Sequence, residues 1–394
     1  SQRWGNTRFG YLKEHSEHEL ASLIVPNITA RPNLWIQITV PNEFQPIGDY
    51  NIGVTAGIET TICDPSWIEG LNRMNLNLVS SQHAKETFER SQFNVEENGK
   101  VRGEIKLQKP VEVLFEGADI DLYKPIETKE ITSIDLSSIK EDFAYLFVGH
   151  WLQGDQYEDR KNVGGMIEEF LHTFKHTSVK PALIIKTQSG SSSILDRNKV
   201  CEKINAIKAS IGPHNLPNIY LVHGELTDSQ VNELYNHSKV KSMISLTKGE
   251  GFGRPLLEFS LVKKPIIATN WSGHIDFLDE QYTTLLGGQL TNVHPSAASS
   301  DMLLQETSWF SVNLMEIGTA LGMVEVNYDK HLSKAKRQYH RSKTKFSFES
   351  MQTELDYILD RNLPEFPKQV QLKLPTLKKI ELPKIKKPGE NVEG

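Results

Sequence analysis

"KSMISLTKGEGFGRPLLEFSLVKKPIIAT", residues 241–269, runs from a short apolar stretch through a glycine-rich polar loop into two further apolar stretches. KSMISL and PIIAT have the length and side chains of buried strands, whereas PLLEFSLVKK opens on a proline, which suits the first turn of a helix because it has no amide hydrogen to leave unpaired. Strand, loop, helix, strand is the repeat of a parallel sheet with helices on its faces. The pattern extends upstream as YLFVGH (strand), NVGGMIEEFLHTF (helix), PALIIKT (strand), DRNKVCEKINAIKASI (helix), NIYLVHG (strand) and DSQVNELYNHS (helix). These alternations predict a doubly wound, Rossmann-like domain. A second, earlier alternation begins at LWIQITV, with LNLVSS as a further strand and PSWIEGLNRM and HAKETFER as helices, and ends near VEVLFEGADIDLYKP. Beyond residue 301, SWFSVNLMEIGTALGMV and the basic YDKHLSKAKRQYHRSK are expected to be helical.

In a doubly wound sheet, ligands sit outside the carboxyl ends of the strands, where residues 247–254 fall. Gly249, Gly251 and Gly253 let backbone amides approach a ligand, and a helix that starts at Pro255 leaves those amides free for phosphate or sugar oxygens. Glu250 and Glu258 flank this loop. Read by themselves, they are either a pair that holds hydroxyls in a cleft, or a helix cap and a solvated helix residue.

At 394 residues the chain exceeds what one core usually supports, which favours two domains with a cleft between them. Its two cysteines, Cys63 and Cys201, argue against a disulfide framework and fit a reducing compartment, and no stretch reads as a membrane span or secretion signal, so a cytoplasmic protein is expected. The opening residues carry no strand, which leaves room for a shortened first domain. The net charge of −6 hides a basic arm: Lys368 to Lys387 has seven lysines against one glutamate, with prolines that prevent helix. This arm is either a solvated spacer or a site for a polyanion such as DNA or an acidic surface. The sequence lacks a phosphate loop of the Gly-x4-Gly-Lys-Ser/Thr kind, a His-Glu-x2-His and a paired Cys-x2-Cys.

Glu-x7-Glu around EGFGRPLLE resembles the signature of retaining glycosyltransferases of the GT-B fold, the group called glycosyltransferase family 4. Only Arg254 departs from the usual apolar residue. The likeness continues in HGELTDSQVNELYNHSKVKSMISL, in KKPIIATNWSGHIDFL, in FVGH…DRKNVGGMIEEF and, in the first half, in GVTAGIETTICDPSWIEGLNRMNLNLVSSQHAKETF and VEVLFEGADIDLYKP.

The resemblance implies an α/β, GT-B architecture of two Rossmann-like domains with donor and acceptor sharing the cleft. Residues 1–125 would be the acceptor-side domain, 126–142 a linker, 143–300 the nucleotide-sugar domain, 301–362 helices packing back on the first domain, and 363–394 the tail. It implies transfer of a sugar from a UDP- or GDP-sugar to an acceptor hydroxyl, with Lys161 facing the leaving diphosphate, aided by Arg160, His150 or Lys186. Glu258 would hold the ribose and Glu250 the donor sugar. Thr247, Gly251, Phe252, Gly253 and His274 would complete the donor side, and Glu59 and His83 the acceptor side. Asp119 and Asp121 form an Asp-x-Asp, a metal-holding pattern elsewhere, but their position at the domain exit favours a structural role. No metal or other cofactor is therefore expected. The rival readings are a nucleotide-sugar hydrolase, phosphorylase or epimerase on the same fold, and a non-catalytic polyanion-binding protein.

Overall fold

A computed structural model describes residues 18–25, 27–98, 100–212, 215–299 and 302–366. One compact unit runs to Leu363, and the second, Pro364 to Gly394, lies almost wholly outside the described residues, as do the lysine arm and its polyanion reading.

After a short helix α1 (His18–Ser22), the chain builds a parallel sheet from β1 (Leu34–Ile38), β2 (Tyr50–Thr55), α2 (Pro65–Arg73), β3 (Leu76–Val79) and α3 (Gln82–Arg90). A hairpin, β4 (Gln92–Glu97) and β5 (Lys100–Lys106), precedes the last strand, β6 (Val111–Val113). The order across the sheet is β1-β2-β3-β6. Both helices start where the sequence supplies a cap. The Asp64 carboxylate accepts from the Ser66 amide at 2.8 Å ahead of Pro65, and the Ser81 hydroxyl accepts from Ala84 at 3.1 Å.

The second half runs β7 (Ala144–Val148), α4 (Val163–Phe174), β8 (Ala182–Lys186), α5 (Ile194–Ile211), β9 (Ile219–Val222), α6 (Asp228–Asn236), β10 (Val240–Ser245), α7 (Arg254–Ser260), β11 (Ile266–Thr269) and β12 (Thr284–Leu286). All six strands are parallel, in the order β9-β8-β7-β10-β11-β12. Connections from β7 wind one way and those from β10 the other, so a crevice opens at the carboxyl ends of these two central strands. Alternate residues of β7 feed opposite cores: Ala144 and Leu146 pack under α6 and α7, whereas Tyr145 and Phe147 pack under α4 and α5.

The chain then forms an antiparallel pair, β13 (Gly288–Asn292) and β14 (Ser308–Val312), followed by α8 (Leu314–Val326), α9 (Tyr328–Lys345) and α10 (Phe348–Asn362). The expectation of helix from Ser308 fails for its first five residues. SWFSV pairs with Gly288–Asn292, and helix begins only after Asn313, whose side chain accepts from the Met315 amide at 3.2 Å. The helix α10 returns to the first sheet, where Leu355, Ile358, Leu359 and Leu363 cluster with Ile52, Leu76 and Leu78.

Candidate active site

The strand β10 delivers the glutamate loop to the crevice. Thr247 is buried, and its hydroxyl donates to the Gly249 carbonyl at 2.9 Å while Thr269 of β11 donates to the Thr247 carbonyl at 2.9 Å. Its side chain thus braces the loop. Lys248, also buried, turns away, its Nζ donating to Ser311 Oγ at 3.0 Å and lying 5.0 Å above the Trp309 ring. Glu250 is fixed at both ends of its peptide: its amide donates to Ser272 Oγ at 3.0 Å and its carbonyl accepts from Gly273 at 3.0 Å.

The Glu250 carboxylate meets two cations from the loop that leads into α4. Lys161 Nζ forms an ion pair with Oε1, and Arg160 Nη1 stands 3.7 Å from Oε2. Arg160 Nη1 also donates to the Gly249 carbonyl at 3.1 Å and lies 3.1 Å from Glu59 Oε1, which comes from the first sheet. Burial alone would raise the Glu250 carboxyl, but Lys161 and Arg160 more than offset this and hold it at about 2. Burial pulls the Lys161 ammonium down, Arg160 adds to that, and Glu250 opposes both. The lysine reaches this position because Asn162 adopts a left-handed φ of 51° and Asp159 caps α4 in its place, accepting from the Val163 amide at 3.0 Å.

Glu258, one turn into α7, has a different environment. It is buried, and Arg254 Nη2 lies 3.4 Å from its Oε1. Burial pushes its carboxyl up to about 7; Arg254 lowers it, and Asp228 and Glu116 raise it further. Arg254 Nε in turn stands 3.9 Å from Glu116, which follows β6 of the first sheet. Arg254, which stands where the motif usually has an apolar residue, thus faces two carboxylates.

Two glycines have a role other than the one expected. A β-carbon on Gly249 would come 1.9 Å from the Glu59 carbonyl, and one on Gly251 would come 2.4 Å from the Ala56 carbonyl, so both are glycine because the first sheet's loop rests directly on them. Gly253, at φ +100°, makes the left-handed turn into α7. The amides of 251–253 donate no hydrogen bond among the described residues. Phe252 points inward and packs on Phe277, 5.1 Å between ring centres, so only its backbone faces the loop.

The remaining candidates spread around this centre. His274 is buried, with Nε2 2.6 Å from the Thr269 carbonyl, and burial lowers its pKa. His150 lies at the end of β7, its pKa lowered by burial and then by Lys161. Lys186 donates to the Gly224 carbonyl at 2.8 Å and so leans toward β9. His83 sits edge-on to Trp271, 4.6 Å between ring centres, with burial pulling it down to about 4. Asp119 accepts from the amides of Asp121 and Leu122, both at 3.0 Å, which makes this acid the pin of a turn.

Residues 203–307 match the model of a family described as glycosyl transferases group 1. Over these residues, about a quarter of its length, the chain is similar to the glycosyl transferases of group 1. No curated protein sequence matches it. Among solved structures, the chain is similar to HepE of Anabaena in complex with UDP and glucose, at 12% identity and a TM-score of 0.55, over 79% of this chain and 72% of that one. It is also similar to sucrose-phosphate synthase of Thermosynechococcus elongatus, at 11% identity and a TM-score of 0.56, over 90% and 78%. The fold of the chain is GT-B, with two Rossmann-like domains. No helix among the described residues is long and apolar enough to cross a membrane.

Several contacts in the structure carried no signal in the sequence. Ser80 Oγ donates to the Gly251 carbonyl at 3.1 Å, and the Gln82 amide donates to Asp276 at 2.8 Å. The Thr61 amide donates to the Ser308 carbonyl at 2.9 Å. Each joins the carboxyl-end loops of the first sheet to the second half, two of them at the loops around Glu250 and the third at the start of β14, and each partner lies far off in sequence.

Proposed function

We propose that the chain moves a glycosyl unit from a nucleoside diphosphate sugar to an acceptor hydroxyl and keeps the anomeric configuration. The observation that carries this reading is the placement of Arg160 and Lys161 against Glu250 in the crevice between β7 and β10. A UDP- or GDP-sugar is the donor, a choice supported by the UDP and UDP-glucose named for HepE.

In this reading Lys161 and Arg160 take the diphosphate, with His150 and Lys186 flanking them. Glu258 accepts hydrogen bonds from the ribose hydroxyls and Glu250 from the donor sugar, while the amides of 251–253 and the buried His274 complete the wall. Glu59 and His83 face the acceptor. As the bond from C1 to the phosphate oxygen lengthens, negative charge collects on the leaving phosphate, and cations already fixed there favour the transition state over the ground state. The acceptor oxygen bonds to C1 on the face the phosphate is leaving, and its proton passes to a phosphate oxygen. The products are the glycoside and the nucleoside diphosphate. No metal is needed in this scheme, and the reaction belongs in the cytoplasm. The acceptor is a glycan, a lipid-linked sugar, a protein or a modified DNA base.

The test is an array of acceptors with UDP- and GDP-sugars, with the product anomer read by NMR. Retained configuration, with transfer that survives EDTA, is expected. An inverted product overturns retention, rescue by manganese after EDTA overturns the metal-free scheme, and sugar release without acceptor favours a hydrolase.

A further inference from the structure

Arg160 and Lys161 are mostly buried, and a buried cation is costly unless a carboxylate or another anion lies against it. In the free protein Glu250 and Glu59 fill that need, but they are not held alike. Glu250 is pinned through its own amide and carbonyl and is 11% exposed. Glu59 belongs to the other sheet. Its backbone is fixed, since its carbonyl rests on Gly249, but its carboxylate is 21% exposed and has Arg160 as its ion-pair partner. Rotating that carboxylate into water disturbs no backbone contact.

We infer that Glu59 is a displaceable counter-anion: it holds Arg160 in the free protein and yields the guanidinium to the diphosphate of the incoming nucleotide. The inference rests on the donor reading above and adds the direction in which Glu59 acts, which is against diphosphate binding. An intramolecular anion that must leave weakens the ligand that replaces it, and for a partly exposed pair the penalty is on the order of 1 kcal/mol, or ~5-fold in Kd.

Isothermal titration of the full chain with UDP, GDP, uridine and guanosine, on the wild type, Glu59→Gln, Arg160→Met and the double variant, tests this. Whichever diphosphate binds the wild type is expected to bind Glu59→Gln ~5-fold more tightly, with the nucleosides unchanged and the gain absent when Arg160 is methionine. Glu59→Asp, which falls short of Nη1, should give a smaller gain, so the sign can be read even if one variant fails to fold. Diphosphate binding that is unchanged or weaker in Glu59→Gln overturns the inference alone, as does a gain shared by the nucleosides or one that persists without Arg160. Failure of both diphosphates to bind the wild type overturns the donor reading and this inference together.

Discussion

Glu250 and Glu258 are the same residue in one short motif, yet their environments push them in opposite directions, to about 2 and about 7. Glu250 is an anion locked between two cations. Glu258 pays for burial with only Arg254 close by. Its folded value lies above the ordinary 4.5, so stability is lost as pH rises from there to about 7, and the whole deficit persists above that. Replacing Glu258 with glutamine should therefore stabilise the protein by about 2–3 kcal/mol at pH 8 and hardly at all at pH 4, which urea unfolding at the two pH values would measure. If Glu258 holds the ribose as a carboxylate, donor affinity in the wild type should rise with pH through 7, and the glutamine variant should lose that slope. At the other acid, Lys161→Ala leaves a buried carboxylate short of a partner and should cost about 3 kcal/mol, and adding Glu250→Gln should restore most of that stability. On the proposed reading, turnover should stay ~100-fold or more below wild type in both variants, because the leaving group would lack its cation. If activity returns along with stability, Lys161 is a structural residue. That two glutamates flank one loop was legible from their spacing, whereas their pairing in a site and the choice of Lys161 came only through the resemblance. The opposite directions in which the two carboxyls shift were not legible, because Arg160, Glu116 and Asp228 come from three other segments.

Among the elements, five strands of the six-stranded sheet could be read from the sequence, since each is a short apolar run bounded by turn residues, whereas the three-residue edge strand Thr284–Leu286 could not. What misled was SWFSV, whose five residues suit strand or helix equally and whose pairing partner lies beyond a long connection. The glutamate loop was legible as a loop, but not as the seat of the first sheet's carbonyls. Gly251→Ala should therefore act through the contact between the two halves' loops as well as at the donor wall. With the Ala56 carbonyl in its way, the loop or the neighbouring sheet must shift, at a cost of about 1–3 kcal/mol. Gly103→Ala, on an open stretch of β5, should change the melting temperature little. Equal melting temperatures for the two variants would show that the loops separate freely.

For the whole molecule, the decisive arrangement is that α10, the last described helix, covers a face of the sheet that was built first. Every member of that apolar cluster outside the sheet and its strand ends comes from Leu355, Ile358, Leu359 and Leu363. Ile358→Ala should cost about 2–4 kcal/mol in urea unfolding, a loss felt in the first sheet although the residue is remote in sequence, and hydrogen exchange should rise in β2 and β3. Protection left unchanged in those strands would mean that the helix is only an appendage. The same arrangement sets an order on synthesis. As the chain leaves the ribosome, the six-stranded half can close from residues that are consecutive in sequence, while Ile52, Leu76 and Leu78 wait, apolar side outward, for a helix made some 280 residues later. The half made first is finished last, so premature termination anywhere before α10 yields a product with an uncovered sheet, a ready substrate for chaperones and proteases.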